Sequence, residues 1–457
     1  MPESKARAAL TRRRFLKSQA ALAAVAATPA ATITAFGAAA STQATAKHAA
    51  AVPDYYDKLN VDKIVNAAGT YTDLTSAVMP DEVQAAVAQA AKHPVNLAQL
   101  QRNAGAYIAK RLQCEGALIS CGATSAITLA TAACIQAANG CRPTDIPHLI
   151  GTDKYQKNEI IVQKAHSYEY DNCFYMCGAK LVMVTTLEEY KRAFTPNTVM
   201  TQFFNAAEAG EISREDWLAV AHEHNVPCHM DAAADMPPIE NLWKYTGMGF
   251  DLVSFSGGKG IRGPQNAGLL LGKKRLTDLA QANNNPRDGA IGRGMKVAKE
   301  QLVGMVAAID WLLSQTNEGL DKEWRRRCDT IIRIVKDVPT LQASIVVPTI
   351  ANHIPHLVLT YDPATLHVTP REARQRLLTD KPVIELNPHT GSARASQGMP
   401  APTPNALVVT TWMLQPGEEL IVARQIRKVL TKPESVGHLP PGGMPLPRAR
   451  RADTPPA

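Results

Sequence analysis

The sequence predicts an α/β protein, with a large domain on a mostly parallel sheet and a smaller α+β domain beside it. Three observations predict it. Between residues 117 and 271 short apolar runs alternate with helical patterns, and strand–helix alternation of that kind builds a parallel sheet covered by helices on both faces. About 385 residues remain once the two ends are set aside, too many for one ordinary core. Finally, Ser256-Gly257-Gly258-Lys259-Gly260 follows an apolar run, at the strand end where open α/β sheets bind ligands.

The ends differ from the body. Residues 1–46 hold Thr11-Arg12-Arg13-Arg14-Phe15-Leu16-Lys17, then an alanine-rich run and small-residue cleavage options at 38–40 or 44–46. That order is expected of a twin-arginine signal and predicts export to the periplasm in a folded state. The other reading is a basic tail. The apolar run is too short, and too broken by Thr and Pro, to span a bilayer, so no membrane attachment is expected after export. Proline, glycine and arginine dominate residues 433–457, which predicts a disordered tail. Of the formal charge of +8, residues 1–46 carry +5 and the tail +1, leaving the body near +2. Without its ends the chain has no basic surplus for nucleic acid. The eight cysteines include no CxxC pair, and no His–Cys set completes a metal site.

Within the body, residues 47–95 read as an N-terminal segment contributing to the small domain, 96–316 as the large domain and 317–432 as the C-terminal small domain. A strand and turn over 61–72 precede a helix opened by Pro80-Asp81-Glu82, with proline and acids where a helix start favours them. Helical spacing of Leu97, Leu100, Ala104, Ile108 and Leu112 predicts a helix over 96–112. Strands are expected at 117–120, 159–162, 180–185, 198–205, 227–231, 252–255 and 268–271. Helices are expected at 125–138, 168–177 and 214–224, followed by an amphipathic helix at 301–315 and a last one at 416–430.

Four segments can carry chemistry. Glycines around Lys259 let backbone approach a flat ring and give the lysine room to move; a lysine in a dry pocket has a lowered pKa and condenses with aldehydes. Ser256, three residues earlier, can bond a phosphate. Asp231 ends an apolar run, where a carboxylate can hold a pyridinium N–H and keep the ring an electron sink; helix capping is the plainer role. Gly122-Ala123-Thr124 stands between a strand and a helix start, exposing N–H groups and the helix dipole to a phosphate. His166 follows another strand and can stack on a ring or serve structure alone. Phosphate turn, stacking residue, ring-nitrogen acid and lysine, in that order, are the arrangement of aspartate-aminotransferase-like (fold-type I) pyridoxal-phosphate (PLP) enzymes.

Residues 65–72, 121–125, 231–234, 256–265 and 292–300 resemble the selenocysteine synthase (L-seryl-tRNA selenium transferase) family, most closely its tRNA-independent branch near D-glucosaminate-6-phosphate ammonia-lyase. The likeness spans about residues 54–432. It implies pyridoxal 5'-phosphate as a Schiff base on Lys259, a homo-oligomer with sites at subunit interfaces, and Asn66, Arg293 and Lys296 as groups facing substrate or phosphate. For Arg293 and Lys296 a solvated basic helix start is the alternative. The chain departs from the family at Leu74-Thr75-Ser76-Ala77 and at Ser167, both near the expected substrate side. With so few residues before the core, no N-terminal tRNA-binding domain and no chemistry on tRNA are expected. The expected function is a PLP-dependent lyase or transferase acting on an amino acid or amino sugar acid, with α,β-elimination leading. An aminotransferase or racemase is the alternative, and an exported non-catalytic binding protein the rival of another class.

Overall fold

The computed structural model describes residues 52–75, 77–205, 210–395, 399 and 401–439. The expected signal segment lies outside the described residues, as does the tail beyond Leu439. The chain divides into residues 1–58, described only from Val52 onward and holding a short helix Tyr55–Lys58, and residues 59–457. All that follows concerns the second unit.

Its main sheet has seven strands: β2 (Gly116–Ser120), β3 (Glu159–Gln163), β4 (Lys180–Val184), β5 (Thr198–Phe204), β6 (Cys228–Asp231), β7 (Leu252–Ser256) and β8 (Gly268–Gly272). The spatial order is β2-β8-β7-β6-β5-β3-β4. Only β8 runs antiparallel to its neighbours, so the other strands all end at one edge. β1 (Ile64–Ala67) pairs in parallel with β11 (Val383–Leu386), while β9 (Gln342–Val346), β10 (His356–Thr360) and β12 (Ala406–Thr410) form a separate antiparallel sheet.

Both faces of the main sheet are covered because its strands are apolar on both sides. Val253, Phe255, Leu269 and Leu271 face one core, shared with helices Leu97–Arg111 and Lys299–Leu313. Leu118, Leu252 and Leu270 face the other, filled by helix Gly122–Asn139, which is buried from Ser125 to Ile135. Asn96 caps helix Leu97–Arg111 by accepting the Gln99 N–H at 2.9 Å, and its Ala104 and Ile108 are buried as the spacing predicts. A third core joins β1, β10–β12 and helices Asn317–Val335, Pro370–Thr379 and Glu418–Thr431.

Three expectations change. The N-terminal segment is divided: Val65 and Ala67 of β1 lie in the smaller core, but helix Asp81–Ala91 packs with helix Lys299–Leu313 and buries Val83 in the larger one. Residues 168–177 are not one helix. Tyr168 is extended, and a 3-10 turn Glu169–Asp171 leads into a short helix Asn172–Tyr175. Past Pro433 the chain stays ordered through the described residues to Leu439, with a turn Pro433–Ser435 and Val436 buried in the small core. Burial of Val436 in the small core outweighs the proline-rich composition there.

Candidate active site

Register lines up the strand ends. Ser120 pairs with Gly268 and Gly268 with Ser256; beside them Ser254 pairs with Asp231 and Asp231 with Phe204. Everything the sequence singles out around Lys259 therefore emerges from one sheet edge, where strand termini of parallel sheets bind ligands.

Gly122 opens helix Gly122–Asn139 in the left-handed region, φ +76°, and space is open where a side chain would stand. Gly268 supports this turn: a Cβ there would lie 2.4 Å from the Gly122 carbonyl carbon. Because β8 carries no side chain at that point, the turn rests directly on the sheet next to Ser256. Ala123 is half-buried and Thr124 exposed. Ser125, in the same first turn, is buried and its hydroxyl has no hydrogen-bond partner. A helix N-terminus with an open glycine and an unpaired hydroxyl fits a phosphate.

Asp231 is buried at the end of β6. Its Oδ1 accepts the Ala233 N–H at 2.9 Å, and its Oδ2 accepts the phenol of Tyr168. Tyr168 stacks on Phe204 with centroids 4.1 Å apart; burial and the neighbouring carboxylate push its phenol well above the ordinary range. Tyr168 was not singled out from sequence, although an aromatic two residues after His166 was its available signal. His166 is itself buried, accepts the Phe204 N–H at its Nδ1 at 3.3 Å and sets its ring edge against Phe203. Burial lowers its pKa to about 4, so it is neutral at physiological pH.

Lys259 is half-buried in the loop after β7. Its glycines are dictated by contact: a Cβ at Gly258 would lie 2.6 Å from the Gln265 Cα, and one at Gly260 2.1 Å from the Met236 carbonyl oxygen. Beside the loop runs the segment in which the chain departs from the pattern of the family it resembles. Ala77 N–H donates to the Gly258 carbonyl at 2.9 Å, Gln265 Nε2 to the Thr72 carbonyl at 3.2 Å, and Arg262 Nε to the Val78 carbonyl at 2.9 Å. The other departure, Ser167, is exposed and donates to Asp171 at 2.6 Å.

Asn66, Arg293 and Lys296 are not drawn into this cluster by any hydrogen bond or ion pair among the described residues. Asn66 shapes its own turn: Oδ1 accepts the Ala68 and Gly69 N–H groups at 3.0 Å, and Nδ2 donates to the Gly69 carbonyl at 2.9 Å. Arg293 forms an ion pair with Asp288 at 3.1 Å on the surface, and Lys296 is exposed. Among the described residues no cluster of three or more His, Cys, Asp or Glu can hold a metal ion, and no helix is long and apolar enough to cross a membrane. All eight cysteines are free thiols.

No family model matches the chain. It is 28% identical over 323 residues to a 5'-C-glycyluridine monooxygenase-decarboxylase of Streptomyces sp, covering 68% of this chain and 78% of the relative. It is 27% identical over 270 residues to the D-glucosaminate-6-phosphate ammonia lyase of Salmonella typhimurium, covering 56% and 70%. An L-seryl-tRNA(Sec) selenium transferase of Aquifex aeolicus matches at 25% over 234 residues, 44% of this chain and 50% of that one. A solved D-glucosaminate-6-phosphate ammonia-lyase superposes with a TM-score of 0.68 at 21% identity, over 83% of this chain and 98% of that one. The resemblance read from the motifs is thus borne out. The chain has the aspartate-aminotransferase-like fold, and it is an enzyme similar to lyases and transferases of the PLP class.

Proposed function

We propose that the protein is a PLP-dependent lyase that eliminates a β-substituent from an amino acid or amino sugar acid. The observation that supports it best is the convergence, at one sheet edge, of Lys259, the buried Asp231 and the open helix start at Gly122–Ser125. Pyridoxal phosphate, when bound, supplies an electron sink for the carbon that bears the substrate amine. The helix start and Ser256 would hold its phosphate, Asp231 its ring nitrogen and Lys259 its aldehyde carbon.

The chain's own groups then divide the work. Asp231 would keep a proton at the ring nitrogen, and its Tyr168 and Ala233 bonds fix the carboxylate's orientation. Lys259 would take the substrate α-proton onto Nζ as general base. The β-substituent leaves with its electron pair, and water converts the enamine product to ketone and ammonia. Thr72, Ala77 and Val78 hydrogen-bond to one side of the lysine loop.

The test is to titrate purified protein with PLP, then supply D- and L-β-hydroxy amino acids and amino sugar acids while following ammonia. A cofactor band near the visible edge, lost in Lys259→Ala, together with ammonia and a keto product, supports the reading. No band in the wild-type protein rules it out, as well as reviving a non-catalytic binding role. Turnover that needs an acceptor keto acid identifies an aminotransferase, and inversion without net product a racemase. Because one relative carries a monooxygenase-decarboxylase name, the same assay should follow oxygen uptake and carbon dioxide.

Two further elements belong to this proposal. The resemblance favours a homo-oligomer in which Arg293 and Lys296, surface groups of one protomer, serve the partner's site. Residues 11–17 favour periplasmic export of folded, cofactor-loaded protein. A reporter fusion that stays cytoplasmic, or that is exported equally well after Arg12 and Arg13 are both changed to Lys, argues against that address.

A further inference from the structure

A second carboxyl lies beside the lysine loop with no part in the chemistry above. Asp235 is 1% exposed, in the turn that follows β6, where its N–H donates to the Ala232 carbonyl at 3.0 Å. Oδ2 accepts the amide of Asn205 at 2.6 Å; Oδ1 is buried and has no hydrogen-bond partner. The loop of Lys259 packs directly on this turn, because Gly260 abuts the Met236 carbonyl so closely that no Cβ fits between them. The ionisable groups facing Asp235 are Asp231 from β6, Lys259 from the loop, Arg214 from helix Arg214–Glu223 and Tyr245 from helix Asn241–Met248. Arg214 acts through Asn205, donating to its Oδ1 at 3.2 Å, and the Asn205 amide also reaches the Tyr245 hydroxyl at 3.0 Å.

A buried carboxyl in such a setting is a costly anion, favoured by two cations, Lys259 of the loop and Arg214 beyond Asn205. Burial is the largest influence and pushes its pKa up to about 7; the Asn205 bond, Lys259 and Arg214 favour the anion, and Asp231 opposes it.

We propose that Asp235 is a positioning residue for Lys259: its charge sets that of the lysine, the pair existing as carboxylate with ammonium or as carboxylic acid with amine. A charge on Asp235 favours the ammonium at Nζ and its loss favours the amine, so the two groups titrate as a coupled pair across the packed turn and loop. This deepens the lyase reading by naming what prepares Lys259 to attack a carbonyl and to act as base. The coupling itself needs only the protein.

The experiment therefore uses cofactor-free protein. Lys259 is labelled with a trace amine-acylating reagent across pH 5 to 10, and its peptide is quantified by mass spectrometry. An anion at Asp235 favours the ammonium, so Asp235→Asn should lower the labelling midpoint by about one pH unit, roughly a tenfold faster rate near neutrality. Asp235→Glu should restore the wild-type curve. Should Asp235→Asn fail to fold, Asn205→Ala serves, since it removes the bond that favours the Asp235 anion and should move the midpoint the same way by less. An unchanged midpoint in a folded variant overturns the proposal. So does an equal shift in Asp235→Asn and Asp235→Glu, which reports a structural disturbance. Failure of PLP to bind would refute the lyase reading and leave this titration standing.

Discussion

Asp231 is held from two directions, and the Tyr168 phenol is the partner whose removal can be read. A hydrogen bond to a charged group contributes about 1.5–3 kcal/mol, and Tyr168→Phe leaves the stack on Phe204 in place. The expected result is about a tenfold loss of PLP affinity in an absorbance titration, with the melting temperature little changed; unchanged affinity would show that Asp231 needs no such support. Three buried histidines make a second prediction. Burial lowers His166, His229 and His356 to about 4, 3 and 4, whereas the unfolded rings protonate near 6.5. Their contribution to stability is complete above about pH 6.5 and is lost as pH falls toward 4. Asp235, raised to about 7, acts in the opposite sense over about pH 4 to 7, as do Asp171 and Glu385, also raised by burial, while His389, lowered by burial, adds to the histidines. Urea midpoints should fall from pH 7 to pH 5, and less steeply in His229→Asn, whose parent ring bonds Gln202 and Ser254 inside the sheet. A parallel fall in both proteins would exclude His229 as a source. Residues fixed by local pattern were legible in the sequence: Lys259 among its glycines, Asp231 at a strand end, Gly122 at a helix start. Tyr168 and Asp235 were not, since their meaning depends on which strand ends become neighbours.

At the scale of elements, strand–helix alternation made the mostly parallel main sheet legible because each crossover is local. Pairings between distant segments are not written that way, and β1 with β11 is the clearest case. β11 is fixed from its other side by Arg374, whose Nε lies 2.5 Å from Glu385 Oε1, with both side chains buried. Removing one partner of a buried pair strands a charge and costs about 3–5 kcal/mol, while replacing both by apolar residues is often neutral. Arg374→Ala should therefore lose most of that range in urea denaturation, and Arg374→Met with Glu385→Leu should recover it; a double variant as weak as the single one would contradict this account. The contact of β8 with the Gly122 turn is tested by Gly268→Ala. Its Cβ has only backbone to push against, so the turn must lift and PLP affinity should fall at least about tenfold. Retained affinity would mean that the turn does not hold the phosphate.

For the whole molecule, a ligand held by Lys259, Asp231 and the helix start should stabilise the fold by linkage, about 2.7 kcal/mol at a hundredfold excess over its dissociation constant. A rise in melting temperature with added PLP, much reduced in Lys259→Ala, is the expected observation; equal rises would place binding elsewhere. The pairing of Asn66 with Glu385 has a consequence in time. A ribosome makes β1 about three hundred residues before the strand that completes it, at an elongation rate of roughly 5–20 residues per second. For tens of seconds the start of the body has no partner, and a chain stopped short of β11 never acquires one. Protease sensitivity near Ile64 would then report whether synthesis had reached Leu386, so the fold carries at its beginning a marker of whether its end has been made.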